Sequence, residues 1–338
     1  MTQPQHVYLT GITTTGTPHL GNYVGAIRPA IAESQNPSHR AYYFLADLHA
    51  LIKCQEPDRV RQSSREIAAT WLALGLNTDN VVFYRQSDVP EIPQLAWLLS
   101  CVAAKGLLNR AHAYKDAVQK NQEEGQDPDY GITMGLFSYP VLMAADILMF
   151  GATRVPVGRD QIQHIEMARD MAQRFNYLYG EHFVLPEAVV DDQTAVLQGL
   201  DGRKMSKSYG NTIPLFLDEK QLKKHINKIK TNLLEPGEPK DADSSTLFQI
   251  WRAFASAEET AEMRREFANG IAWGEAKKRL FELLNEQLRD ARDHYNRLLA
   301  EPDYIEAVLR KGADRARETS EPFLARLKEA VGISALLS

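Results

Sequence analysis

Val7-Tyr8-Leu9-Thr10-Gly11-Ile12-Thr13-Thr14-Thr15-Gly16-Thr17-Pro18-His19-Leu20-Gly21-Asn22 reads as a strand, a glycine-bearing turn and the start of a helix. The apolar run 7–12 has the length and composition of a buried strand, and residues 22–31 continue as a helix. That order aims backbone N–H groups and the positive end of a helix dipole at an anion. No dinucleotide GxGxxG can be drawn through Gly11, Gly16, Gly21 and Gly25, and no Walker loop through residues 199–204, because the spacings are wrong. The same residues also suit a plain strand-to-helix turn capped by His19.

A second phosphate-type segment lies far downstream. Lys204-Met205-Ser206-Lys207-Ser208 places two lysines and two hydroxyls in five residues, with Gly202 before and Gly210 after. Ammonium groups on flexible stems can follow phosphate oxygens as they move. A solvated basic loop is the other reading of such a run. Between the two segments, residues 41–46 and 81–84 are apolar runs of the kind found in parallel sheets, and residues 58–74 have helical periodicity that stops at Gly75. The implied fold class is α/β, a Rossmann-like parallel sheet with ligands beyond the carboxyl ends of its strands. His19, His49 and the lysine loop all follow strand-like segments. Residues 109–135 turn polar, with 122–128 the least ordered part, and are expected to be a mobile flap over one side of the site. After Pro214 the strand pattern ends, and residues 221–232, 244–256, 276–299 and 304–311 read as amphipathic helices. The expected organisation is a catalytic domain over 1–210, with its lysine loop at 202–210, and a C-terminal all-helical domain over 211–338.

Composition sets limits without deciding the function. A chain of 338 residues has room for about two domains. Its formal net charge of −5 means that any nucleic acid must be met by local basic patches. Two cysteines, Cys54 and Cys101, cannot build a four-cysteine metal site and read as reduced thiols. The N-terminus lacks a signal-peptide pattern. The longest apolar stretch, 140–150, is too short to span a membrane and carries Asp146. A cytoplasmic protein without a membrane partner is expected.

His19-Leu20-Gly21-Asn22 is similar to the HIGH motif, and KMSKS is the second signature, of the class I aminoacyl-tRNA synthetases. Within that class three further segments resemble the bacterial tryptophanyl-tRNA synthetases. They are Asp47-Leu48-His49-Ala50, Met143-Ala144-Ala145-Asp146-Ile147-Leu148, and Val155-Pro156-Val157-Gly158-Arg159-Asp160-Gln161-Ile162-Gln163-His164. The C-terminal stretch from Gly312-Ala313 to Val331-Gly332 fits as well, so the resemblance runs through nearly the whole chain. Two departures stand out: Asn22 replaces the second histidine, and Thr13-Thr14-Thr15 stands where the family commonly has a Gln-Pro-Ser type of sequence.

The resemblance implies two reactions, activation of L-tryptophan by ATP and transfer of the acyl group to the 3′ end of tRNA(Trp). It implies His19, Lys204 and Lys207 as the groups that stabilise charge on the phosphates. ATP would also meet Thr13, Thr14 and Thr15, then Gly21 and Asn22, with Met205, Ser206 and Ser208 from the lysine loop. Lys115 is a further phosphate contact by the same resemblance. Gly158 and Asp160 would hold the ribose hydroxyls, Arg159 would also meet ATP, and Val196 or Leu197 would present backbone to the adenine. Mg²⁺ would be held mainly by the ATP phosphates, with no protein metal site. Tryptophan would be met by His49, Met143, Asp146, Val155, Val157 and Gln161. An ionised carboxylate is acceptor-only and the indole N–H donor-only, so Asp146 matches the ring. A homodimer through the helix near 89–101, which carries Leu95, Trp97, Leu98 and Leu99, is also implied.

Other readings stay open at this stage. Asp160 and Gln163 are spaced as a capping box, His49 suits a packed core, and the helix near 89–101 suits an interior position. Asp146 suits an ion pair with Arg154 or Arg159. A tyrosyl-tRNA synthetase and an inactive tRNA-binding paralogue are the functional alternatives. The lysines at 220, 223, 224, 228 and 230 are a tRNA-contact candidate or a solvated face.

Overall fold

The computed structural model describes residues 6–190, 196–333 and 335, without the side chain of Asp160. Five parallel strands form one sheet in the order β3-β2-β1-β4-β5: β1 (Val7–Thr13), β2 (Arg40–Ala46), β3 (Val81–Arg85), β4 (Arg154–Pro156) and β5 (Glu187–Val189). β1 pairs with β2 from Val7↔Arg40 to Thr13↔Ala46, and β4 joins its other side. The chain thus reverses its direction of growth at β1, which opens a crevice at the carboxyl ends of β1 and β4.

Both faces of the sheet are covered, which is why its strands read as unbroken apolar runs. Tyr42, Phe44 and Tyr84 pack on the side of the helix Met134–Met149. Tyr43, Leu45 and Phe83 pack on the opposite side against Ile67 and Trp71 of the helix Pro57–Ala73. The period of two in the strands sorts one aromatic row to each layer.

Beyond Pro214, the helices Glu219–Asn227, Thr246–Phe254, Ala257–Ala268 and Trp273–Ala300 share a core of Leu222, Phe248, Phe267, Leu280 and Leu284. Leu20, Val24, Leu197 and Met205 belong to the same core, so the helical unit is built directly onto both phosphate-type segments.

The C-terminal part differs from the expected 211–338 unit. A helix over Pro302–Ala330 returns to the sheet and covers β3, the edge strand. Ala313, Ala316, Leu324 and Leu327 join one sheet core, and Ile305 and Leu309 the other. The Arg315 guanidinium donates to the carbonyls of Thr78 (2.7 Å) and Val81 (3.0 Å). An uncovered edge is a template for unwanted strand pairing, and here a helix blocks it. The close approach needs Gly312, where a Cβ would sit 1.6 Å from the Phe83 carbonyl oxygen. Gly312→Ala is therefore expected to destabilise the chain by about 1–3 kcal/mol or more, as overpacking does, read as a lower urea midpoint. An unchanged midpoint would show that the helix can slide away at no cost.

The segment expected as a polar flap contains a helix, His112–Glu123. Asn121 closes the following loop by donating to the carbonyls of Pro128 (2.9 Å) and Tyr130 (2.8 Å). Among the described residues, no helix is long and apolar enough to cross a membrane.

Candidate active site

Two cavities meet at the carboxyl end of β1. The first, of about 510 Å³, lies between β1, β4 and the helix Met134–Met149, and Asp146, Met143, Tyr139 and His49 line it. The second, of about 790 Å³, lies between the 13–27 segment and the lysine loop. Gly11, Thr13 and Thr15 line both.

Asp146 is 1% exposed. Its carboxylate accepts from Gln86 Nε2 at 2.8 and 2.9 Å and is 2.9 Å from His49 Nε2. Burial pushes the carboxyl above its ordinary range, and the hydrogen bonds from His49 and then Gln86 oppose that shift. A carboxylate has about four lone-pair sites, so acceptor capacity remains for a ligand donor. The arginine alternatives fall away, since Arg154 pairs with Glu187 and Asp146 is held by His49 and Gln86. Tyr139, Met143 and Asp146 are spaced i, i+4, i+7 and so share one helix face. The Tyr139 hydroxyl is 2.6 Å from His164 Nε2.

His19 is 6% exposed and caps the short helix Leu20–Asn22. The Asn22 N–H donates to His19 Nδ1 (3.2 Å), and the His19 N–H donates to Asn22 Oδ1 (3.1 Å). Asn22 thus completes a capping box. With Nδ1 accepting, the ring proton is assigned to Nε2. Burial, and then the Lys207 ammonium, lower the imidazole from 6.5 to about 4. His19 is therefore a neutral donor between about pH 5.5 and pH 8. Over that range the single-turnover rate should carry no inflection from this residue, and His19→Asn should lower the rate without changing the shape of its pH profile. A wild-type inflection near pH 6.5 that disappears in His19→Asn would contradict this assignment.

In the turn, three backbone donors are engaged within the protein: Gly16 N–H by Ser63 Oγ (3.0 Å), Leu20 N–H by the Ile213 carbonyl (3.0 Å), and Asn22 N–H by His19. Lys204, Lys207 and Ser206 line the second cavity with His19. The Lys207 ammonium donates to the carbonyls of Thr15 and Gly16, the latter at 2.9 Å. Burial lowers its pKa from the usual value.

The remaining expected residues divide. Gly21, Asn22, Met205, Val196 and Leu197 line the second cavity; Val155, Val157, Gly158 and Gln161 line the first. Thr14 is buried and lines neither, because successive side chains of an extended chain point opposite ways. Ser208 is absent from both linings and its hydroxyl lies 2.8 Å from that of Ser206. Lys115 is exposed on the helix His112–Glu123, whose Ala113 lines the first cavity instead. Arg159 is exposed and lines neither cavity. The Asp160 side chain lies outside the described residues. Gln163 is not a cap: it bridges the Arg110 carbonyl and the His112 N–H. Gln86, Tyr139 and Asn211 were missed. The helical spacing of Tyr139 to Asp146, and the place of Gln86 just after β3, were signals present in the sequence.

The sequence model described as tRNA synthetases class I (W and Y) matches residues 1–289. The chain is 63% identical to the tryptophan–tRNA ligase of Pseudomonas aeruginosa, over 97% of this chain and 74% of that one. It is 58% identical to that of Neisseria meningitidis, over 97% and 98%. The tryptophanyl-tRNA synthetase of Campylobacter jejuni, solved with ADP and tryptophan, superposes with a TM-score of 0.89 at 41% identity, over 96% of this chain and 99% of that one. The geometry at β1 and these likenesses lead to one assignment: the chain belongs to the class I tRNA synthetases of the tryptophan and tyrosine group.

Proposed function

We propose that the two cavities take the two small substrates of a tryptophan–tRNA ligase, the amino acid in the first and ATP in the second. The relatives at 58–63% identity carry that name, which favours tryptophan over the tyrosine alternative. The observation that carries the reading is the shared rim of Gly11, Thr13 and Thr15. There a carboxylate from one side can meet an α-phosphate from the other.

Tryptophan's carboxylate attacks the α-phosphorus, the bond to the bridging oxygen breaks, and pyrophosphate leaves with its electron pair. The nucleophile is already ionised, so the protein's work is alignment and stabilisation of phosphate charge. His19 donates through Nε2, and Lys204 and Lys207 supply positive charge. In the second step the adenylate's acyl group passes to a terminal ribose hydroxyl of tRNA(Trp), and AMP departs.

Mg²⁺ travels with the ATP phosphates. Among the described residues that line the second cavity there is no carboxylate, a donor set that fits phosphate oxygens better than a resident divalent ion. The lysines at 220, 223, 224, 228 and 230 are all exposed and are offered as tRNA-backbone contacts. A homodimer is part of the same proposal: in the helix Glu91–Ser100, Ile92, Leu95 and Leu99 are buried while Trp97 is 70% exposed. An unpartnered tryptophan on a helix whose other face is packed favours an interface over an interior position. A cytoplasmic location follows from the same reading.

Pyrophosphate exchange into ATP, run with each amino acid in turn, tests the assignment. Exchange with tryptophan alone is expected, followed by charging of tRNA(Trp). Exchange with tyrosine, or none at all, would overturn it.

A further inference from the structure

The two lysines of the 204–208 loop act only if the backbone that carries them is held in one register, and a single buried side chain supplies that hold. Residues 197–205 fold back as a hairpin: Gly199 N–H donates to the Arg203 carbonyl (2.7 Å) and Met205 N–H to the Leu197 carbonyl (2.8 Å). The pairing ends at Met205, just where the chain turns toward Lys207. Asn211, 3% exposed, reaches back from the far side of the turn. Its amide nitrogen donates to Asp201 Oδ1 (2.7 Å) and the Lys204 carbonyl (3.1 Å), and its amide oxygen accepts from the Ser206 N–H (2.8 Å). One side chain therefore ties the carbonyl of the first lysine and the N–H just before the second.

The surroundings are shaped for that contact. A Cβ at Gly199 would sit 2.4 Å from Asn211 Cγ, so only glycine lets the amide lie flat against the hairpin. Asp201 is held at about 2, chiefly by the Asn211 amide and then by Arg203, and stays a charged acceptor. The donor and acceptor pattern also fixes which way the amide faces.

We propose that Asn211 is a positioning residue for adenylate formation, setting Lys204 and Lys207 over the nucleotide cavity. The proposal rests on the reading of those lysines as phosphate-facing groups. Misplacing a catalytic group by about 1 Å costs on the order of 10²-fold, and the loss falls on the chemical step, not on tryptophan binding.

The test is a double-mutant cycle in the full chain, read by single-turnover adenylate formation with ATP, Mg²⁺ and tryptophan. Asn211→Ala is expected to lower the rate by about 10- to 100-fold, with tryptophan Kd, measured without ATP, unchanged within about twofold. In the Lys207→Ala background the same substitution should cost far less, because residues that act as a unit are not additive. Asn211→Asp keeps the volume and the acceptor for Ser206 but loses the donors, and serves if the alanine variant does not fold; it should move the rate in the same direction. Equal losses in both backgrounds, or an equal weakening of tryptophan binding, would show a merely structural role. A large effect of Lys207→Ala beside a silent Asn211→Ala overturns this proposal alone, whereas a silent Lys207→Ala overturns the lysine reading with it.

Discussion

Lys207→Ala is expected to lower single-turnover adenylate formation by roughly 10²–10³-fold, the loss typical of one preorganised donor to developing charge, while tryptophan binding stays intact. The ammonium is already poised at the site, on the carbonyls of Thr15 and Gly16. Thr15 lines both cavities and Gly16 the second. Burial disfavours its charge, so an approaching polyphosphate offers a better partner than neutral carbonyl oxygens. The difference between those two partners is what the substitution removes. Rapid-quench measurement of adenylate on saturating ATP decides the matter. A fall of less than about fivefold is far short of the usual loss and would take Lys207 out of the reaction.

Asp146→Ala should change which amino acid is used. A site built to hydrogen-bond a substrate donor rejects an analogue lacking it by roughly 10⁴–10⁵, whereas an apolar pocket separates neighbours by only about 10–200-fold. Asp146 is the one acidic side chain among the described residues lining the first cavity. It is buried, and Gln86 and His49 orient it. Its loss would leave those two partners unsatisfied and the indole N–H unread. The tryptophan KM should rise, selectivity over phenylalanine should drop by two or more orders of magnitude, to about the apolar-pocket level, and the KM for ATP should hold. Pyrophosphate exchange with both amino acids gives the ratio. Selectivity equal to wild type would mean that another group reads the ring.

The sequence made the sheet and the two phosphate-type segments legible because strands covered on both faces leave unbroken apolar runs. The first cavity was half legible: Asp146 stood out as an interruption in an apolar helix, with Met143 one turn before it, and Tyr139, a further turn back, did not. Asn211 carries no local signal of importance, since its role exists only through Ser206 across a turn, and the place of Gln86 just after β3 gains meaning only through Asp146, distant in sequence. Thr14, Ser208 and Lys115 were placed by family position, and none of the three lines either cavity. The largest misreading was at Gly312. The amphipathic helix was read only over residues 304–311. The structure runs the helix straight through, because that glycine is there to let it touch β3.

That contact bears on how the chain is made. β1 and β2 are complete once residue 46 has been synthesised, and β3 by residue 85. The helix that shields β3 ends at Ala330. On the ribosome the edge of β3 therefore stays bare until the helix Pro302–Ala330 has been made. Long-range closure of this kind is slow and leaves unpaired backbone open to neighbouring chains. A fragment that stops before that helix is expected to keep the β3 edge open to pairing with other chains.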